Sequence, residues 1–87
     1  MSHSSTKQAS ITQSIQIQVP QGIYRHYKGS LYQVLHTAKH SETEESLVVY
    51  RCLYGEYDVW VRPLTMFTES VNINDKEVPR FELIKAL

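Results

Sequence analysis

The chain has 87 residues, with nine Lys or Arg against nine Asp or Glu, and a pI near 6.9. That balance argues against non-specific binding of duplex DNA, which calls for a basic excess. A single cysteine, Cys52, rules out an internal disulfide framework and any all-cysteine zinc site.

At this length a domain buries only about 60–65% of its unfolded surface, so one thin core is expected. No apolar run approaches the roughly 20 residues of a membrane span. The opening MSHSSTKQAS lacks the apolar centre of a signal peptide. A cytoplasmic protein without membrane association is the expectation.

Residues 1–14 are rich in Ser, Thr and Gln and carry too little apolar surface to offset their ordering entropy, so disorder is expected there. Ile15, Ile17 and Val19 then alternate with glutamines up to Pro20, which suits a short edge strand or an extended approach to the domain. Residues 1–19 are thus read as a tail and 20–87 as one compact β domain.

Ile23 to Tyr27 reads as a strand, Lys28-Gly29 as a two-residue turn, and Ser30 to Lys39 as the return strand. Pairing across that turn puts Ile23, Val34, Arg25 and Tyr32 on one face and Tyr24, Gln33, His26 and Leu31 on the other. Residues 40–46 are polar and acidic. Ser41 and Glu44 have capping-box spacing, but no apolar helical run follows, so a loop is expected.

Leu47 to Phe67, LVVYRCLYGEYDVWVRPLTMF, is the most β-prone stretch of the chain. A four-residue loop, Gly55 to Asp58, pairs Tyr54 with Val59, Leu53 with Trp60, Cys52 with Val61 and Arg51 with Arg62. Val48, Tyr50, Cys52, Tyr54, Val59, Val61 and Pro63 then form a core face, while Val49, Arg51, Leu53, Trp60 and Arg62 form the other. A loop of odd length would move Arg51 to the valine side.

Leu64 to Phe67 is too short for a regular helix and suits one 3₁₀ turn. Thr68 to Ile73 alternates with Val71 and Ile73 inward, Asn74-Asp75 makes a turn, and Pro79 confines residues 76–81 to an edge. Residues 82–87 suit a last strand or a fraying helical turn. Five or six short strands without a long helix indicate an all-β fold, either a small SH3-like barrel or a rolled antiparallel sheet with one 3₁₀ turn.

Several blocks occur in a recognisable order: Gly22-Ile23-Tyr24-Arg25-His26-Tyr27-Lys28-Gly29, His40-Ser41-Glu42-Thr43, Val48-Val49-Tyr50-Arg51, Leu53-Tyr54-Gly55, Trp60-Val61-Arg62-Pro63, Met66-Phe67 and Pro79-Arg80-Phe81. Together they resemble the small bacterial domain-of-unknown-function family 1653 over about residues 21–84. The resemblance implies a bacterial source and a compact β domain, and it transfers no mechanism.

Function has to be argued from side chains. Two arginines flanking the only tryptophan, Arg51, Trp60 and Arg62, are the chain's most unusual arrangement. Opposed like charges on paired strands repel unless an anion sits between them. Guanidinium forks grip phosphate or carboxylate, and an indole offers a stacking face. His26 and Tyr24 are candidate neighbours, and His40 with Glu42 forms a candidate polar cluster. The competing reading has Glu42, Glu44, Glu45 or Glu82 neutralise the arginines and Trp60 fill core.

The histidines show no zinc-ligand spacing, so no metal or other cofactor is expected. Cys52 lies between apolar residues and is expected to act as a small hydrophobe. No nucleophile, base and electrophile come together in one motif. The expectation is a non-enzymatic binding module for an anionic aromatic ligand, a nucleotide or a short single strand of nucleic acid. The alternative is an adaptor that binds a protein partner's peptide by an aromatic groove or sheet edge. A small hydrolase or transferase is the least supported of the three.

Overall fold

A computed structural model describes residues 18–87. The expected tail through Ile17 lies outside the described residues. Gln18 and Val19 are described, and neither is in a strand. Val19 packs against the core, and the Pro20 carbonyl accepts a 2.8 Å hydrogen bond from the Tyr24 hydroxyl.

The fold is all-β. Seven strands run in chain order: β1 Gly22–His26, β2 Leu31–Lys39, β3 Ser46–Cys52, β4 Val59–Pro63, β5 Ser70–Ile73, β6 Lys76–Pro79 and β7 Phe81–Ala86. One helical turn, α1 at Leu64–Phe67, separates β4 from β5. Five strands form one antiparallel sheet in the order β4-β3-β2-β1-β7, and β5 and β6 form a separate hairpin. β4 and β7 do not pair, so of the two expected forms, barrel or rolled antiparallel sheet, hydrogen bonding shows no closed barrel.

Both long hairpins depart from the expected register, for one physical reason. The Lys28-Gly29 turn is a three-residue connection, closed by His26 N–H to Ser30 C=O at 2.8 Å, with Gly29 at φ 109°. Tyr24 therefore pairs with Tyr32 and Ile23 with Gln33. Tyr24 and Tyr32 turn inward, and Ile23 and Arg25 turn outward.

In the central hairpin Cys52 N–H donates to Asp58 C=O across a five-residue loop, residues 53–57. Gly55 and Tyr57 both take positive φ, 60° and 59°. Tyr50 pairs with Trp60, Val48 with Arg62 and Arg51 with Val59. The loop is odd, not even, and the faces exchange accordingly.

The core lies on the inner face of the curled sheet: Tyr24, Tyr32, Val34, Val48, Tyr50, Cys52, Phe67 and Phe81. Val48, Tyr50 and Cys52 are buried as expected, whereas Tyr54, Val59 and Val61 are exposed. Ring stacking replaces a thick aliphatic core. Phe67 lies parallel to Phe81 at 4.1 Å, and the edges of Tyr24 and Tyr32 meet this pair at 5.5 and 5.4 Å respectively.

Leu64–Phe67 is a single α-helical turn rather than the expected 3₁₀ turn, because Thr68 N–H reaches back to Leu64 C=O at 3.0 Å. The Thr68 hydroxyl donates to the same carbonyl at 2.9 Å. The turn carries Phe67 under the sheet. Asn74 and Asp75, at φ 51° and 66°, form the expected two-residue turn, although Ile73 is exposed rather than inward. The last segment is a strand, with Ile84 bulged out of its ladder with β1.

Candidate functional site

The exchanged register divides the candidate residues. Trp60 and Arg62 lie on the inner face, opposite Tyr50 and Val48. Arg51 lies on the outer face between Gln33 and Val59, away from the other two. The expected Arg51–Arg62 opposition does not occur. Two arginines therefore do not flank Trp60 on one face.

Arg62 instead joins groups that the chain supplies from elsewhere. Its Nε donates to the Tyr50 hydroxyl at 3.4 Å, and its guanidinium lies 5.5 Å from the centre of the Phe81 ring. Phe81 is the hub of this corner, because His26 meets it edge-on at 5.0 Å and Tyr50 tilts against it at 5.9 Å. Trp60, 47% exposed, meets Tyr50 edge-on at 6.4 Å. The Tyr32 and Tyr54 hydroxyls bond each other at 2.9 Å beside this cluster. That bond, the largest cause, pushes the Tyr54 hydroxyl above its usual range.

The electrostatics of the corner are one-sided. Burial first, then the charges of Arg62, Arg80 and Lys28, hold His26 below the ordinary imidazole value. Its Nδ1 accepts the Lys28 N–H at 3.1 Å, so the neutral ring carries its proton on Nε2. Arg80 bonds Glu69 through Nη2 at 3.0 Å, and its Nε is buried without a partner.

Among the described residues Arg62 makes no ion pair, and Glu82 pairs with Arg25 at 3.5 Å instead. Residues 1–17 contain no Asp or Glu. The expected neutralisation by Glu42, Glu44, Glu45 or Glu82 therefore does not reach Arg62. An exposed indole beside an unneutralised guanidinium, set on an aromatic floor, can receive a planar ring with an attached anion.

The other candidates have other places. Tyr24 is buried, with its hydroxyl committed to Pro20. His40 organises the β2–β3 loop, where its Nδ1 accepts the N–H groups of Glu42 and Thr43 at 3.1 and 3.3 Å. His40 thus meets Glu42 only through the Glu42 backbone, and these bonds serve the loop. Arg80, Phe81, Tyr32 and Tyr54 were not anticipated at the site. The Pro79-Arg80-Phe81 block stands out in the sequence, but no local pattern shows that β7 brings it beside β4.

The family model for "Protein of unknown function (DUF1653)" matches residues 22–83. The chain belongs to this family. A crystal structure of a family member from Bordetella bronchiseptica is similar at 35% sequence identity and a TM-score of 0.72, over 79% of this chain and 91% of that one. No curated protein matches the chain. The matched segment of this DUF1653 member contains every residue of the Trp60, Arg62, His26, Arg80 and Phe81 corner.

Proposed function

We propose that this DUF1653 chain is a non-enzymatic binding module that holds an anionic aromatic ligand, a nucleotide or a short single strand of nucleic acid, between Trp60 and Arg62. The observation that carries this reading is the state of Arg62. It is held in place by the Tyr50 hydroxyl and the Phe81 ring, with no carboxylate paired to it among the described residues. His26 and Arg80 line the adjoining side, and Trp60 supplies the stacking face. The curled sheet is read as an SH3-like roll, supported by the Arg62–Phe81 contact, which joins its two edge strands across the core. A bacterial source is proposed with it, supported by the Bordetella bronchiseptica relative.

The test is titration with nucleoside monophosphates, short oligonucleotides and inorganic phosphate at two salt concentrations. Nucleotides are expected to bind more tightly than phosphate alone, and affinity should fall as salt rises. Arg62→Gln should weaken binding about 10- to 100-fold, the usual cost of a lost charge-assisted contact. Arg51→Gln, on the opposite face, should leave it unchanged. Equal loss from both substitutions would remove the site from this corner.

A further inference from the structure

The two edges of the five-stranded sheet are unequally protected. β7 carries Glu82 and Lys85 and is bent by the bulge at Ile84, features that discourage pairing with another chain. β4 pairs with β3 without a bulge, and Val59, Trp60 and Val61 are 44, 47 and 59% exposed. It has no lysine or acidic residue, and its proline stands at its last position. Arg62 is its single charge.

The phase of the ladder shows which backbone groups face outward. Cys52 N–H bonds Asp58 C=O, so Cys52–Asp58 is a bonded pair, and by alternation Tyr50–Trp60 and Val48–Arg62 are too. The N–H and C=O of Val59 and Val61 therefore point away from β3, while the Pro63 C=O, at the N-cap of α1, accepts the first bond of that turn. None of these has a partner strand among the described residues.

We propose that β4 pairs antiparallel with the β4 of a second copy, about a two-fold axis at Val61. This register suits the sequence of the strand. Val61 exchanges both hydrogen bonds with the partner's Val61, and each Val59 lies opposite the partner's Pro63, whose carbonyl already accepts the first bond of α1. Pro63, which has no N–H to donate, falls where the pairing ends. Trp60 then lies directly opposite the partner's Arg62, in the close, non-bonded kind of pair, and the reverse contact follows by symmetry. An indole facing a guanidinium is an attractive cross-strand pair. Self-complementarity of this kind selects a second copy over an unrelated peptide, and it brings the partner's Trp60 to the edge of the Arg62 corner. Pairing does not require that corner to be occupied.

Sedimentation equilibrium of the full chain over a wide concentration range tests the pairing, with two variants run in parallel. Val61→Pro removes the outward N–H at the axis and breaks no bond to β3. Val61→Lys places like charges across the axis and serves if the proline variant does not fold. The expected result is a dimer for the unmodified chain and monomers for the folded variants, with unchanged near-UV circular dichroism. A monomeric unmodified chain would overturn the proposal, whether its Val61 amide exchanges freely or is protected by another segment or a captured peptide. Dimers that survive both substitutions would overturn it as well, because they would use a different face.

Discussion

Arg62 is held by two weak contacts, the Tyr50 hydroxyl and the Phe81 ring, and its charge also tunes His26. Because burial and the charges of Arg62, Arg80 and Lys28 lower the folded-state value of His26, the unfolded chain binds the proton more readily. Stability contributed by neutral His26 is therefore present at neutral pH. It is lost as pH falls from the ordinary value near 6.5 toward the lowered folded one. Protonation is further opposed because Nδ1 would have to give up the Lys28 N–H. An NMR titration should find His26 below the ordinary value in the unmodified protein and higher in Arg62→Gln. A bound anion should also raise it, so nucleotide binding should tighten as pH falls through the titration of His26. An unmoved His26 in Arg62→Gln would separate the two side chains.

At the scale of elements, the outcome was set by the parity of two loops. Composition alone was enough to place the strands, because runs such as Leu47–Leu53 and Val59–Val61 favour no other local structure. The sequence does not show whether a Tyr-Gly-Glu-Tyr connection counts four residues or five. That count depends on Tyr57 accepting φ 59°, a left-handed conformation few aromatic residues adopt. One residue of difference moved Trp60 and Arg62 to the inner face and left Arg51 alone on the outer one. Three residues in place of two did the same at Gly29 and turned Tyr24 into the core. Tyr57 is exposed and its conformation is costly, so Tyr57→Gly should raise the denaturant midpoint, a gain of about 0.5–1 kcal/mol. A loss of stability would mean that the Tyr57 side chain has contacts of its own.

For the molecule as a whole, a thin domain is held by rings. Phe67 arrives from α1 and Phe81 from β7, and their parallel contact locks the turn beneath the sheet. Neither was marked as core by strand alternation, since Phe67 sits in a helical turn and Phe81 directly follows Arg80 at the start of its strand. Phe67→Ala should cost about 3–5 kcal/mol, the usual range for a buried aromatic ring. That is a large share of the roughly 5–10 kcal/mol available to a domain of this size, and chemical denaturation will measure it. Gly22 closes the other side of the sheet. A methyl group there would collide with the Lys85 carbonyl and crowd Ala86, so Gly22→Ala should loosen β7 and speed amide exchange along it.

These scales meet in the corner where β4 carries Trp60 and Arg62 beside Phe81, His26 and Arg80. The most direct test is an NMR shift map of the full chain titrated with a nucleoside monophosphate, with Arg51→Gln and Arg62→Gln titrated alongside. The expected shifts concentrate on the Trp60 indole N–H, the Arg62 Nε–H and the His26 ring, persist in Arg51→Gln and vanish in Arg62→Gln. Shifts centred on Arg51 and the outer face, or identical shifts in the unmodified protein and Arg62→Gln, would contradict the account.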